Sequence, residues 1–341
     1  MAIALDIIGD VHGELPALEA LGRELGYRVE AGWSHPQGRM PFFLGDLVDR
    51  GSYSLEVAEL VKGLHDARRA FSVMGNHEYN LVAWYARIPG YERPKRSNRP
   101  TTEDILRRPE RWRPVLRFMR GLPLGVELPD LRLIHACWHR ASLEVVKPVL
   151  GMVGQASGSP ADGFAWLERH VVLRSPFDLR PPVRKARLVP GLSGDTADYS
   201  ADIPHEDLIK GYEVPAAEPF TDNDGKLRRK IRALWWKDDR LSDVVHDRTQ
   251  VFGHYWNLPP IDGQVAPPHP SGHPALRAWA RDLAPRVPPS GRRKLAGDLA
   301  CVDFQGVTNA SGHACIGALQ WPEKEIVWAT APKTAATGEA D

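Results

Sequence analysis

Three observations predict an α/β fold for this chain. Short apolar runs alternate with amphipathic, helix-period stretches from Ala2 to about Tyr85. Each of the first three apolar runs ends in a glycine-containing string: Gly9-Asp10-Val11-His12-Gly13, Gly45-Asp46-Leu47-Val48-Asp49-Arg50-Gly51 and Gly75-Asn76-His77-Glu78. Further apolar runs follow late in the chain, and two of them end at His135 and His254. In α/β sheets the carboxyl ends of strands are where ligands bind, and the strings fall there.

The elements are justified in order. Residues 2–8 are rich in Ile and Leu, as in a strand buried on both faces. Pro16 opens a helix that places Leu18, Leu21 and Leu25 on one side. Met40 to Leu44 reads as the second strand. Ser54 reads as the cap of a helix over Leu55, Val57, Leu60, Val61 and Leu64, with Glu56 and Glu59 in its early turns. Ala70 to Met74 is a third strand and Leu131 to Ala136 a fourth. Ile231 to Trp236 is apolar enough for a strand or a short helix, and Thr249 to Phe252 is a strand before Gly253-His254. Arg292, Arg293 and Lys294 read as a solvated loop. Leu299 to Phe304, His313 to Gln320 and Glu325 to Ala329 read as three closing antiparallel strands.

Between these elements the pattern changes twice. Residues 87–120 hold many Arg and Pro, with Trp112 and Phe118 interleaved. Two readings stand: an exposed helical insert whose arginines snorkel, or a rim that meets a phosphate-rich substrate. From about 140 to 230, Gly, Pro, Ser and Asp are frequent and periodicity is poor, which reads as an insertion or lid. The expected organisation is one domain over residues 1–330 with that insertion, and a disordered polar tail at 331–341.

The chain has 341 residues, 43% hydrophobic and 26% charged, an ordinary globular composition. Its formal net charge of +1 and the lack of a basic stripe count against a nucleic-acid partner. No apolar run approaches the roughly 18 residues of a membrane span, so no membrane partner is expected. Cys137, Cys301 and Cys315 show no paired spacing, which favours a reduced, cytoplasmic setting.

The strings together supply Asp, His and Asn side chains from successive loops. Carboxylate and amide oxygens mixed with imidazole suit one or two divalent ions. Alone, each residue has a plainer role. An Asp in a glycine-rich turn is usually a turn residue, and a lone His254 before Tyr255 is more often a packed ring. Three strings in order, with two later histidines, shift that balance.

These motifs resemble the phosphoprotein-phosphatase branch of the calcineurin-like metallophosphoesterases. Ile134-His135-Ala136 and Phe252-Gly253-His254 resemble the two later histidine motifs of that family. The N-terminal part looks closer still to bacterial symmetrical bis(5′-nucleosyl)-tetraphosphatases and their PrpE-type relatives. The likeness there lies in Asp6-Ile7-Ile8-Gly9-Asp10, Leu25-Gly26-Tyr27, His35-Pro36 and Ser54-Leu55-Glu56-Val57. It spans roughly residues 3–85, 131–139 and 249–329.

The resemblance implies a four-layer αββα sandwich of two mixed sheets with a two-metal centre. It implies that Asp10 and His12 bind one ion, that Asp46 bridges, and that Asn76, His135 and His254 complete the second. The ions implied are manganese first, with iron, zinc, nickel or magnesium as alternatives. A bridging water between two cations loses its proton readily and would attack phosphorus. His77 would be the general acid, Asp49 its partner, and Arg50 the grip on phosphoryl oxygens, with Glu78 supporting the ligands. His139 is a rival to His135. Cys137 and Trp138 stand where the family usually shows glycine, and Ser52 where it often shows proline. A second gripping arginine is not placed; Arg228, Arg232 and Arg240 are candidates.

The activity this implies is metal-dependent hydrolysis of phosphate esters or anhydrides. Dinucleoside polyphosphates or similar small phosphorylated molecules are the favoured substrates. A serine/threonine protein phosphatase acting on phosphoproteins is the alternative. A nucleic-acid phosphatase or nuclease is a further one.

Overall fold

The computed structural model describes residues 3–139, 142–144, 146, 163–178, 204–211, 213–221, 227–232, 235, 247–260, 281–305, 308 and 311–334. Its strands are β1 (Leu5–Ile8), β2 (Met40–Phe43), β3 (Phe71–Ser72), β4 (Gly125–Glu127), β5 (Leu131–Ile134), β6 (Val171–Leu173), β7 (Glu213–Thr221), β8 (Leu227–Arg232), β9 (Thr249–Phe252), β10 (Ser290–Lys294), β11 (Leu299–Cys301), β12 (His313–Trp321) and β13 (Glu325–Pro332). Its helices are α1 (Leu15–Leu25), α2 (Ser54–Asp66), α3 (Asn76–Tyr85), α4 (Arg99–Arg107), α5 (Pro109–Gly121), α6 (Gly163–Arg169) and α7 (Pro204–Lys210).

Two mixed sheets form the body. The first runs β10-β13-β12-β1-β2-β3 and the second β11-β9-β5-β4-β6, with β7-β8 a separate hairpin. In the first, β1, β2 and β3 are parallel, while β12 is antiparallel to β1. In the second, β5, β9 and β11 are parallel. Leu5, Ile7, Phe42 and Leu319 from the first sheet share one buried cluster with Val126, Leu131, Leu133 and Val251 from the second. Side chains alternate across a strand, so Ile8 and Phe43 face the other way. There they join Leu18, Leu21 and Leu25 of α1 and Leu55 and Val61 of α2. This packing of helices on two mixed sheets agrees with the αββα sandwich that the resemblance implies.

Asp6 interrupts the apolar run of β1 and is fully buried. A buried carboxylate must be paired and hydrogen-bonded. Arg39 meets it at 2.9 Å, Tyr27 Oη donates at 2.7 Å, and Gln320 Nε2 donates at 3.0 Å.

Several expectations are corrected. Leu299–Cys301 is not a closing antiparallel strand: it pairs parallel to β9 in the second sheet. Of the three, β12 and β13 form an antiparallel pair in the first sheet. The run Arg292-Arg293-Lys294 is not a loop but the end of edge strand β10, paired with β13. Ladder bonds come from the backbone, and charged side chains are ordinary on an edge. Ser54 does not cap α2; it is the first helical residue, and its Oγ accepts the Asp49 amide at 2.9 Å. The last strand runs to Pro332, beyond the expected tail boundary at 331, and Thr334 is held by Glu14 Oε2. Residues 335–341 lie outside the described residues.

In the expected insertion, α6, β6, α7 and the β7-β8 hairpin are described. Val171–Leu173 is the edge strand of the second sheet, paired with β4. Of the strand or short helix expected at Ile231 to Trp236, Ile231 and Arg232 belong to β8, and residues 233, 234 and 236 lie outside the described residues. The Arg-rich stretch folds as α4 and α5, with Trp112 fully buried. Its Arg108 pairs with Asp104 and Glu56, and Arg111 with Glu59. Those pairs fit the first reading, an exposed helical insert, and not a rim of free arginines. None of the described helices is long and apolar enough to cross a membrane.

Candidate metal centre

Two sets of three parallel strands aim at one spot. Asp10, Asp46 and Asn76 follow β1, β2 and β3; His135, His254 and Asp303 follow β5, β9 and β11. The turns are tight and strained. His12, Asp46, Asp49, Arg50 and His254 all have φ between 48° and 72°. A non-glycine residue there costs free energy, and such positions concentrate at functional sites. Gly253 is required outright, because a Cβ there would lie 2.2 Å from Asp10 Oδ1.

Asp46 is the hub. It is 1% exposed and sits at the N-terminus of α3, where the His77 amide donates to its Oδ1 at 2.9 Å. His135 Nε2 lies 3.4 Å from Oδ1. His12 Nε2 and His77 Nε2 lie 3.6 and 3.8 Å from Oδ2. Ligand atoms of His12, Asp46 and His77 fall within 4.8 Å of one another, as do those of Asp46, His135 and His254. Asp10 stands beside the first group, with Oδ2 3.8 Å from His12 Nε2 and Oδ1 accepting the His254 amide at 3.1 Å. Asn76 Oδ1 lies 3.3 Å from His135 Nε2.

The imidazole tautomers are set from behind. His12 Nδ1 donates to the Val48 carbonyl at 2.9 Å, and His135 Nδ1 to the Leu44 carbonyl at 2.8 Å. In a neutral ring that leaves Nε2 as a lone pair, the arrangement found behind metal-bound histidines. His135 Nε2, Asn76 Oδ1 and Asp46 Oδ1 are then three acceptors facing one another, which a cation would relieve. The donor set fits divalent ions on this ground.

Burial lowers His12 and His254 well below the ordinary imidazole value, and His135 less so. Burial also raises Asp10 well above the carboxylate range, helped by its neighbours Asp303 and Asp46. Asp303, fully buried, is pushed up to about 7 by the same loss of solvent. Burial would raise Asp46 too, but the imidazoles of His135 and His77 outweigh it and hold it low. His77 is the opposite case among the rings. Burial opposes its charge, yet Asp46 and the hydrogen-bonded Asp49 raise it above the ordinary value.

His77 Nδ1 bonds Asp49 Oδ2 at 2.6 Å. Arg50 Nη1 donates to Gln305 Oε1 at 3.3 Å, and its guanidinium lies 5.6 Å from the Trp256 ring centre. Asp10, His12, Asn76, His77, His135 and His254 thus gather around Asp46, and Asp49 stands behind His77. His139 does not: its Nδ1 meets Ser142 Oγ at 2.8 Å. Arg228 is paired with Glu213 at 2.6 Å, and Arg240 lies outside the described residues.

Asp303, Asn98, Gln305 and Trp256 were missed from sequence. Asp303 had a usable signal: Leu299 to Val302 is an apolar run ending in Asp, like the run before Asp10. The others carry no local pattern.

The family comparison agrees with this geometry. The model of the calcineurin-like phosphoesterase family matches residues 3–144 of the chain. Among curated proteins, it is similar to the asymmetrical bis(5′-nucleosyl)-tetraphosphatase PrpE of Halalkalibacterium halodurans, 49% identical over 73 residues, 21% of this chain and 30% of that protein. The PrpE of Geobacillus thermodenitrificans is 35% identical over 141 residues, 39% of this chain and 56% of that one. The symmetrical bis(5′-nucleosyl)-tetraphosphatase of Tolumonas auensis is 36% identical over 132 residues, 38% and 41% of the two chains. The chain therefore matches between 30% and 56% of the length of these relatives.

Proposed function

We propose that this chain hydrolyses phosphate esters or anhydrides with two divalent ions held by Asp10, His12, Asp46, Asn76, His135 and His254. The observation that carries the reading is the convergence of two His/Asp groups on one buried carboxylate, Asp46. When bound, the ions would supply Lewis-acid activation of a phosphoryl group and of water.

The chain's own residues account for the rest. His77 Nε2 faces Asp46, while Nδ1 is committed to Asp49. Asp46 and Asp49 favour its protonated form against burial, so it is suited to donate a proton to a departing oxygen. Arg50 presents a planar fork that matches two phosphoryl oxygens. Gln305 and Trp256 fix its direction.

For substrate, the reading is a dinucleoside polyphosphate or a similar small phosphorylated molecule. The matched relatives named bis(5′-nucleosyl)-tetraphosphatase support that choice. The test is kcat/KM for diadenosine tetraphosphate against a phosphoserine peptide with the manganese-loaded protein. A higher value for diadenosine tetraphosphate is expected. A phosphopeptide value tenfold higher, about 1.4 kcal/mol in transition-state stabilisation, would reverse the order.

A further inference from the structure

The Arg-rich stretch reaches the site through a residue that is not an arginine. Asn98 ends the short 3-10 turn Arg96–Asn98, just before α4, and is 2% exposed. Its amide fixes the turn by donating to the Lys95 carbonyl at 2.9 Å. Its Nδ2 donates to Asp49 Oδ2. That is the oxygen that also accepts His77 Nδ1 at 2.6 Å. A carboxylate only accepts, so the nitrogen of the Asn98 amide must face it. Asp49 Oδ1 and Asn98 Oδ1 are both buried without a hydrogen-bond partner. The two donors therefore share one oxygen while the other goes unused.

Two donors on one oxygen have a definite effect. The carboxylate cannot swing without breaking both bonds, so the His77 ring is held with Nε2 toward Asp46. A carboxylate only accepts, so His77 Nδ1 carries the proton of that bond, which leaves Nε2 as the atom that exchanges protons with substrate. Asp49 itself is held at φ 72° by the hydrogen bond that its backbone N–H donates to Ser54 Oγ. Asn98 completes the restraint from outside the three motif strings.

We propose that Asn98 is a positioning residue for proton donation, the third member of a His77–Asp49–Asn98 hydrogen-bonded chain. The inference rests on the reading of His77 as the acid. A merely structural Asn98 would anchor α4 and affect all substrates alike.

The test compares kcat and KM on p-nitrophenyl phosphate and on phenyl phosphate, whose leaving group needs protonation more. It uses the manganese-loaded full chain as wild type, Asn98→Ala, Asn98→Leu (which keeps the volume without the donor), His77→Asn, and the double variant His77→Asn/Asn98→Leu. For either Asn98 variant that folds, kcat on phenyl phosphate is expected to fall about tenfold or more. The fall on p-nitrophenyl phosphate should be smaller, with KM and inhibition by inorganic phosphate little changed. In the His77→Asn background, Asn98→Leu should cost nothing further. Equal losses on both substrates in the Asn98 variants, or additive losses in the double variant, would overturn the inference. If His77→Asn itself loses equally on both substrates, the acid reading of His77 fails first. If neither single variant folds, the His77 Nδ1 proton resonance of the wild type decides. A low-field signal coupled through space to the Asn98 amide protons is expected, and a signal without that coupling would overturn the inference.

Discussion

Glu78 ties the third motif to the second by accepting the Asp46 amide at 2.8 Å. The same carboxylate, fully buried, accepts the Leu47 amide at 2.7 Å and the Gly75 amide at 3.0 Å. Three donors on one side chain fix the spacing between the loops that carry Asp46 and Asn76. Glu78→Ala would leave these amides buried and unpaired, at about 1–3 kcal/mol each. A clear fall in Tm together with weaker manganese retention is expected, read by calorimetry and by metal analysis after dialysis. Unchanged retention would mean that the loop spacing is held by other contacts.

Asp6 lies at the opposite end of β1 from the metal centre, so it separates stability from catalysis. Asp6→Ala strands the buried Arg39 charge, a loss of about 3–5 kcal/mol for a broken buried pair. Denaturant midpoints should show the loss, while the surviving folded protein keeps its KM. A loss below about 1 kcal/mol would show that Glu323, 2.9 Å from Arg39, is partner enough.

The buried carboxylates set a pH signature. Asp303 is shifted from 3.8 to about 7 in the folded chain, and Asp10 is raised as well. The metal-free fold thus binds more protons than the unfolded chain between those values. The stability from Asp303 is complete below about 4 and is lost as pH rises through about 7. Ions should reverse the trend by expelling these protons, since ligands and neighbours must be anionic. Manganese titrations at pH 6.5 in buffers of different ionisation enthalpy should show proton release, shrinking by pH 8. His12 and His254, lowered by burial, should contribute none. Release that grows with pH would contradict this assignment.

Arg50 owes its direction to Gln305 and Trp256. Arg50→Ala should reduce kcat/KM by more than it weakens inhibition by inorganic phosphate, because the guanidinium binds most strongly as charge redistributes in the transition state. Gln305→Ala should give a smaller loss of the same kind. Equal changes in kcat/KM and phosphate inhibition would make Arg50 a ground-state anchor only.

How much of this was legible in the sequence follows from what kind of constraint each residue obeys. Asp10, Asp46 and Asn76 follow short apolar runs that pair locally, so their place at strand ends could be read directly. β11 was legible as a strand but not its partner. Its pairing with β9, nearly fifty residues earlier in register (Leu299 with Gln250), is a tertiary choice that no local pattern records. Ser54 looked like a cap because caps and general hydrogen-bonding residues share one chemistry; only the fold turns its hydroxyl toward Asp49. Asn98 could not be found from sequence, since its role depends on the path of residues 86–98 across the site.

The most direct test of the account is the metal content of Asp46→Asn. Both His/Asp groups share this carboxylate, so removing its charge should disable both. The wild type, incubated with manganese and freed of excess, is expected to hold two ions per chain by elemental mass spectrometry. Asp46→Asn, folded by circular dichroism, is expected to hold fewer than one and to hydrolyse neither diadenosine tetraphosphate nor p-nitrophenyl phosphate. A folded Asp46→Asn that retained two ions and wild-type turnover would contradict the account.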